Sequence, residues 1–178
     1  RASGTGPDGA PDPTGLLALY SLSKQSNLAG YRAAFAAGDP ELVATLVNTR
    51  KHAGMIVPAP VQHAMAVALA DDGHVAEQKD RYRRRRDALR TALEASGHTV
   101  DHSEAGLYLW TRRADLDPAH ATAQDSWDLL GDLAGLGIIA GPGVFYGGDG
   151  YVRVAITATD EAVARAAARL TARGPRNG

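Results

Sequence analysis

The sequence has no cysteine, so disulfides, thiolate metal sites and cysteine nucleophiles are excluded. It has no large charge of either sign, because 19 Lys and Arg stand against 20 Asp and Glu, and this balance disfavours nucleic acid or a membrane surface as a partner. No apolar run approaches the roughly 20 residues that cross a bilayer. With 44% hydrophobic and 22% charged residues, we expect a globular, cytoplasmic enzyme or binding protein.

Lysine is also scarce. Among the 19 basic residues only Lys24, Lys51 and Lys79 are lysines, and the others are arginines in an Ala- and Gly-rich background. This composition indicates a mutational bias toward arginine, so a lysine that persists is a candidate for chemistry that arginine does not perform. The sequence opens on Arg1 and not on Met, from which we expect a piece of a longer protein.

Gly- and Pro-rich segments are predicted to flank the folded part. Residues 1–14 contain almost no apolar side chains and are expected to form a flexible segment, and residues 175–178 are expected to form a tail. A Gly-x-Gly-x-x-Gly motif begins at Gly4, but no strand precedes it and Pro7 interrupts it where a helix should begin. We therefore do not expect this motif to bind a dinucleotide.

The remaining pattern predicts an α/β fold. Apolar residues occupy both parities at 15–22 and at 31–37, which is typical of strands buried on both faces of a parallel sheet. The Pro-Ala-Pro sequence at 58–60 marks a boundary. We expect residues 15–60 to complete one domain and residues 61–174 to form a second, smaller α+β domain.

Helices and strands alternate along the chain. The run Arg83–Arg86 lies on the longest predicted helix, and acidic residues four positions away, among them Asp80 and Asp87, predict a solvated, charge-balanced face. Thr159 followed by Asp160 predicts the start of the last helix. The other predicted elements are helices at 40–50, 61–69, 71–97 and 125–136, and strands near 106–110, 138–140 and 151–157.

Two cations without a nearby carboxylate mark the first candidate site. Residues 15–38 include Lys24 and Arg32 but no Asp or Glu. Between buried strands these charges need an anionic ligand, or carboxylates from elsewhere in the fold. Phosphate suits the planar fork of Arg32 and the hydroxyls of Ser21 and Ser23.

The chemistry of Lys24 follows from the same placement. Desolvation beside the Arg32 cation would favour an uncharged, nucleophilic amine. A neutral amine next to a phosphate site is what imine chemistry with pyridoxal phosphate requires. A surface lysine is the alternative interpretation.

A second candidate lies on a late predicted strand. Val152, Val154 and Ile156 share one face of this strand, so Arg153 points to the other, toward a cleft or solvent. There its guanidinium can form a bidentate pair with a substrate carboxylate. An exposed arginine without a ligand is the alternative interpretation.

These residues carry a resemblance to a known family. Ser21-Leu22-Ser23-Lys24 followed by Gly30-Tyr31-Arg32 resembles the S-x-S-K…G-x-R segment of fold-type I, class I/II aminotransferases, and Tyr151-Val152-Arg153-Val154-Ala155 resembles their late, arginine-bearing strand. The resemblance covers nearly all of residues 15–172. It implies the C-terminal portion of the pyridoxal-phosphate-dependent transferase fold, that is, the end of the large-domain sheet plus an α+β small domain.

The resemblance also implies roles for single residues. In the family the lysine carries pyridoxal 5′-phosphate covalently, the matching serine and arginine hold the cofactor phosphate, and the late arginine binds the substrate α-carboxylate. Carried over, these residues are Lys24, Ser21, Arg32 and Arg153. The intact family enzyme is a homodimer with amino acid and 2-oxo acid substrates and no metal.

Two further segments point to a subfamily. Residues 51–65 (KHAGMIVPAPVQHAM) and 102–110 (HSEAGLYLW) are most similar to actinobacterial N-succinyldiaminopimelate aminotransferases. This similarity implies amino-group transfer between glutamate and N-succinyl-2-amino-6-oxopimelate, a step towards diaminopimelate and lysine.

The family region before the lysine strand has no counterpart in this sequence. In the family it supplies a phosphate-binding loop, an aromatic ring stacked on the cofactor, the Asp paired with the pyridinium nitrogen, and most dimer contacts. We therefore expect the chain to be a C-terminal portion that does not transaminate alone.

Two other functions remain open. Ser21-x-x-Lys24 is also the nucleophile motif of penicillin-binding proteins and serine β-lactamases. These enzymes also need a Lys-Thr-Gly strand, and this sequence has no such tripeptide. In addition, they place the motif at the start of a helix, whereas residues 15–22 of this sequence predict a strand. An inert or partner-binding truncated module is the non-enzymatic alternative. His98 and His102 stand four positions apart without an evident third ligand, so we expect no zinc site.

Overall fold

The structure is a computed structural model that describes Gly4, Gly9, residues 12–54 and residues 56–175. Most of the predicted flexible N-terminal segment, including residues 5–8 within the glycine motif, and most of the predicted tail lie outside these residues. Within the described residues, no helix combines the length and the apolar character needed to cross a membrane.

The chain divides into two compact units, Arg1–Lys79 and Asp80–Gly178. The boundary between the units falls inside the longest helix. It differs from the division near residue 60 that the sequence suggests, and the domain boundaries remain a prediction.

The first unit contains a small antiparallel sheet and several helices. Its elements are β1 Leu17–Ser21, α1 Leu22–Gln25, β2 Ala34–Gly38, α2 Pro40–His52, α3 Ala59–Leu69 and the first part of α4 Asp72–Ala95. The pairing of β1 with β2 runs from Leu17 opposite Gly38 to Ser21 opposite Ala34. Asp39 caps α2, since its Oδ1 accepts a hydrogen bond from the backbone N–H of the second helical residue at 2.8 Å.

The prediction that these two strands are buried in a parallel sheet is wrong. The strands are antiparallel, all five residues of β1 are exposed, and Leu19 keeps 73% of its surface accessible. A strand buries both faces only when other layers cover both, and among the described residues β1 pairs with β2 alone. The small core of this unit instead gathers Leu22, Ala33 and Met65.

The second unit is built on a four-stranded sheet. Its elements after α4 are β3 His98–Asp101, β4 Tyr108–Arg113, α5 Ala123–Gly135, β5 Gly141–Pro142, β6 Tyr151–Ala155 and α6 Asp160–Arg173. The strand order is β3-β4-β6-β5, and every neighbouring pair is antiparallel. Side chains of the sheet and of the helices meet in one apolar core that includes Leu93, Leu109, Leu129, Val152 and Leu170.

Local capping signals set the helix ends. Thr159 Oγ1 accepts a hydrogen bond from the Ala162 N–H at 3.2 Å, which confirms the predicted start of α6. The predicted strand at 138–140 is wrong, because pairing with β6 begins only at Gly141. The sequence pattern does not predict α1, since four residues show too little periodicity to be recognised.

The arginine run on α4 makes two kinds of contact, some with a neighbour on the same helix and others with distant segments. Arg83 and Arg84 both pair with Asp80 on the exposed side of the helix, as the spacing predicts for Arg84. The next two arginines form tertiary contacts that the sequence does not reveal: Arg85 pairs with an aspartate of α6, and Arg86 donates to a backbone carbonyl before β4.

Candidate active site

The candidate site in the first unit is the connection between β1 and β2, residues 22–33, which we call the lysine loop. Ser21 caps α1, since its Oγ accepts a hydrogen bond from the Ser23 N–H at 3.2 Å. The same oxygen lies 2.8 Å from Ser23 Oγ and 3.4 Å from the Ala33 carbonyl oxygen. Lys24 lies on the single turn of α1 and is exposed. Two hydroxyls and an amine thus lie at one end of the hairpin.

Arg32 lies at the other end of the lysine loop, in a left-handed backbone conformation with φ of 51°. Its backbone N–H donates to the Ala29 carbonyl at 3.3 Å, and one guanidinium nitrogen donates to the same oxygen at 3.1 Å. Neither Arg32 nor Lys24 pairs with a carboxylate in the described part of the chain. The remaining guanidinium N–H groups are therefore available to an anion.

The backbone of the lysine loop is strained at two places. Asn27 has a φ of 55° and Arg32 has a φ of 51°, and neither is a glycine. Such conformations cost about 1–3 kcal/mol each and persist where the surrounding structure holds them. They are concentrated at ligand-binding and catalytic positions, which agrees with a functional role for the loop.

The structure corrects two expectations about this loop. Lys24, Ser21 and Arg32 are all exposed, so the desolvation expected from buried flanking strands is absent from these residues. Ser21-x-x-Lys24 does lie at a helix start, because Ser21 caps α1, and the sequence argument against a serine nucleophile on that ground is wrong.

The candidate site in the second unit surrounds Arg153 on β6. Val152 and Val154 are buried on one face of the strand, and Arg153 points to the other, which confirms the prediction from periodicity. Its guanidinium carbon lies 4.1 Å from the centre of the Tyr108 ring and 3.9 Å from the centre of the Tyr146 ring. No carboxylate pairs with Arg153 among the described residues. We call these three side chains the arginine clamp.

An aromatic group supports the arginine clamp. The Trp110 ring stacks on Tyr151, with ring centres 5.0 Å apart and planes 9° apart, and meets the Tyr146 ring edge-on at 6.4 Å. The backbone of Gly148 packs so closely on the indole that a Cβ there would overlap the ring of Trp110. The turn that carries Tyr146 is therefore held directly against β4.

Hydrogen bonds to Asp101 hold the aromatic group in position. The Tyr151 hydroxyl donates to Asp101 Oδ2 at 2.9 Å, and Arg112 Nε donates to the same oxygen at 3.0 Å. Burial and the neighbouring Asp101 carboxylate raise the pKa of the Tyr151 phenol, so the hydroxyl stays protonated and keeps donating. These contacts fix the ring on which Trp110 stacks.

Sequence reasoning found Arg153 but not the two tyrosines. A signal for Tyr108 exists, since it alternates with Trp110 on the face of β4 opposite buried Leu109 and Thr111. Tyr146 lies in the 3₁₀ turn Gly143–Tyr146, where no strand periodicity indicates its direction.

Comparison with known proteins identifies the family of this chain. The family model described as Aminotransferase class I and II matches residues 5–170. The chain belongs to this family. Among the aminotransferases, OxyQ of Streptomyces rimosus, a 4-dedimethylamino-4-oxo-anhydrotetracycline transaminase, is 57% identical over 159 residues, which are 88% of this chain and 42% of that protein.

Two other aminotransferases show the same partial coverage. The probable aminotransferase Rv1178 of Mycobacterium tuberculosis is 56% identical over 90% of this chain and 37% of its own length. The LL-diaminopimelate aminotransferase of Oleidesulfovibrio alaskensis is 37% identical over 84% of this chain and 38% of its own length. The chain thus spans well under half the length of each of these relatives.

Solved aminotransferase structures confirm the fold. The aspartate aminotransferase of Rhizobium meliloti superposes with a TM-score of 0.74 at 22% identity, over 89% of this chain and 41% of that chain. A Thermus thermophilus aspartate aminotransferase gives 0.75 at 22% identity, over 90% and 42%. The expected portion of the pyridoxal-phosphate-dependent transferase fold is therefore confirmed.

Enzymes of the class I/II aminotransferase family use pyridoxal 5′-phosphate. The donors of the lysine loop fit this cofactor in chemical type: an amine for covalent attachment, and hydroxyls with a guanidinium for a phosphate group. The family match also favours this chemistry over the serine acyl-enzyme that the Ser21-x-x-Lys24 motif suggests.

Proposed function

We propose that this chain carries part of the active site of an enzyme that transfers an amino group between an amino acid and a 2-oxo acid, with glutamate and 2-oxoglutarate as one pair. The observation that carries the proposal is the lysine loop, which Ser21 caps and in which neither Lys24 nor Arg32 has an ion-pair partner among the described residues. Membership of the aminotransferase family supports it.

The lysine loop supplies attachment and proton transfer. Pyridoxal phosphate, when bound, supplies a ring that stabilises the negative charge formed when the substrate Cα loses its proton. The amine of Lys24 would be the attachment point and, once the amine of the substrate has displaced it, would be free to take up the Cα proton. Ser21 and Arg32 bind the phosphate oxygens, Arg32 through its remaining guanidinium N–H groups.

The arginine clamp supplies substrate binding. The Tyr108 and Tyr146 rings hold the Arg153 guanidinium by cation–π contact, and its N–H groups can then hold both oxygens of an α-carboxylate. Fixing the carboxylate orients the Cα–H bond and thereby lowers the barrier to proton removal.

The proposed substrate is N-succinyl-LL-diaminopimelate, with N-succinyl-2-amino-6-oxopimelate as the oxo acid. The sequence of residues 51–65 and 102–110 supports this assignment, as does a relative that is named an LL-diaminopimelate aminotransferase. The 57% identity to OxyQ favours a second candidate, an oxo-anhydrotetracycline. Assay of the full-length enzyme with both acceptors distinguishes them.

The proposal includes the homodimeric state and cytoplasmic location expected from the sequence.

Borohydride reduction in the presence of pyridoxal phosphate tests the cofactor assignment. The three lysines make the test specific, because peptide mass spectrometry compares Lys24 with Lys51 and Lys79 in one sample. We expect the reduced cofactor mainly on Lys24 and its loss in Lys24→Ala, while Lys51→Ala as the matched control leaves it unchanged. Equal modification of the three lysines would refute the assignment.

Arg153→Ala separates substrate binding from cofactor binding. We expect this variant to keep the reduced adduct on Lys24, since Arg153 does not belong to the lysine loop, and to lose binding of glutamate. Arg113→Ala is the control, because this arginine of β4 pairs with Asp115 and not with the groups that support the arginine clamp. Retention of glutamate binding in Arg153→Ala would contradict the assigned role.

A further inference from the structure

His74 forms a tertiary contact with the lysine loop that the catalytic assignment does not use. Its Nε2 lies 2.8 Å from Ser26 Oγ, across 48 positions of sequence. Its Nδ1 lies 3.2 Å from Asp71 Oδ2. Ser26 and His74 are both half-buried. An aspartate, a histidine and a serine thus form a chain of hydrogen bonds from the start of α4 to the end of α1.

The far end of this chain lies two residues from Lys24. Ser26 follows α1 directly, and its backbone N–H donates to the Leu22 carbonyl at 3.1 Å. A helix of four residues has no cooperative stability of its own, so its position depends on contacts at its ends and on its buried side chain. Those contacts are the Ser21 cap, buried Leu22 and the Ser26–His74 hydrogen bond.

We propose that His74, oriented by Asp71, is a positioning residue for Lys24: by holding Ser26 it fixes the direction in which the single turn of α1 presents the lysine amine. The inference rests on the proposed function of Lys24. It concerns residues of the first unit only.

Asp71 is placed to orient the imidazole. Its Oδ1 accepts a hydrogen bond from the Gly73 N–H at 2.8 Å at the start of α4, while Oδ2 faces His74. The Gly73 hydrogen bond, together with the His74 side chain, lowers the pKa of Asp71, so the carboxylate stays ionised. With Nδ1–H donating to Asp71, Nε2 is left to accept a hydrogen bond from the Ser26 hydroxyl.

In serine hydrolases an aspartate, a histidine and a serine in the same order make the serine a nucleophile. One contact of Ser26 disfavours that role here. The N–H beside a nucleophilic serine commonly helps to stabilise the oxyanion, and in Ser26 this N–H already donates to Leu22. The arrangement therefore favours positioning over nucleophilic catalysis.

Hydrogen exchange of the lysine loop tests the inference without any cofactor. In His74→Ala we expect the protected amides of residues 22–33 to exchange about fivefold faster, the factor that corresponds to a hydrogen bond of about 1 kcal/mol. Ser26→Ala removes the other partner of the same hydrogen bond and should give the same increase in exchange rate. The double variant should exchange no faster than either single variant. His74→Gln, which places an amide near Nε2, should restore part of the protection.

His120→Ala is the matched control. His120 makes the same pair with an aspartate three residues before it, at 2.8 Å, but it is exposed and contacts no serine in the described residues. We expect no change in the exchange of residues 22–33. Unchanged exchange in His74→Ala, or labelling of Ser26 by a fluorophosphonate, would overturn the inference.

Cofactor trapping supplies the second measurement. We expect the fraction of Lys24 that carries reduced pyridoxal phosphate to fall several-fold in His74→Ala, while the modified fractions of Lys51 and Lys79 stay constant. A wild-type chain that does not trap the cofactor on Lys24 refutes the proposed function, whereas trapping that is equal in wild type and His74→Ala refutes the positioning role. The two failures are therefore distinguishable.

Discussion

At the scale of single residues, the two candidate sites differ in how their cations are held. Arg153 is held by cation–π contacts with two aromatic rings, those of Tyr108 and Tyr146. Within the described part of the chain, the Arg32 guanidinium hydrogen-bonds to its own turn, through the Ala29 carbonyl. An arginine that contacts aromatic rings can still pair with a planar carboxylate through its N–H groups, a geometry that a lysine ammonium does not match.

The arginine clamp predicts a role for the Tyr146 ring. Tyr146→Leu removes one cation–π contact of about 0.5–1 kcal/mol, so the affinity of Arg153 for glutamate should fall about two- to fivefold. Tyr146→Phe keeps the ring and should keep the affinity. The measurement is an NMR titration of the Arg153 side-chain Nε–H with glutamate.

The neighbouring Phe145 provides the matched control for this prediction. It is an exposed aromatic residue of the same turn, but its ring packs edge-on against Trp127 at 5.7 Å and has no contact with Arg153. Phe145→Leu should leave glutamate affinity unchanged. An equal loss of affinity in both leucine variants would show that the turn matters and the ring does not.

At the scale of elements, contacts at helix ends decide where α1 and α4 stop. The C-terminal end of α4 is followed by His98, which is 8% exposed. Its Nδ1 lies 2.9 Å from Ser96 Oγ and 3.2 Å from the Leu93 carbonyl oxygen. Burial lowers the pKa of His98 from its ordinary value of 6.5, against the opposing effect of the Leu93 carbonyl.

This contact predicts a pH dependence of stability. Because the folded state favours the neutral imidazole, the unfolded state binds more protons as the pH falls below 6.5. The free energy of unfolding should therefore be highest above that pH and should decrease below it, until the lowered pKa of the folded state is passed. Urea unfolding between pH 5 and 8 measures this decrease.

His98→Gln should reduce the pH dependence, because glutamine does not titrate. His120→Gln is the control, since the His120 side chain is 84% exposed. A wild-type protein whose stability stays constant across this pH range would contradict the assignment to His98.

At the scale of the whole molecule, the two units bury apolar surface to different extents. The second unit has one core in which Leu109 and Leu129 are fully buried. In the first unit, exposed Leu19 and Val47 line an open apolar cavity of about 800 Å³. The sequence pattern predicts buried strands in both units. In the structure β4 of the second unit carries fully buried Leu109, whereas β1 of the first unit is exposed.

A pair of leucine substitutions measures this difference. Leu109→Ala in β4 should lower the free energy of unfolding by about 2–5 kcal/mol, because it leaves a cavity in the core. Leu19→Ala in β1 should change it by less than about 0.5 kcal/mol, because the side chain is exposed. Urea unfolding followed by circular dichroism gives both values. A Leu19→Ala variant as unstable as Leu109→Ala would show that β1 is buried.

The sequence by itself determined the features that depend on near neighbours. The motif around Lys24, the face of β6 that carries Arg153 and the Thr159 cap follow from spacings of a few residues, because strand parity and helix capping are local. The helices other than α1 were predicted for the same reason, with ends displaced by a few residues.

Only the tertiary structure decided what surrounds these residues. Burial of β1 depends on whether other layers cover it, and an apolar run looks the same in either case. The rings around Arg153 come from β4 and from a 3₁₀ turn, and His74 reaches Ser26 across 48 positions. Such contacts arise when distant segments pack together, and no local spacing encodes them.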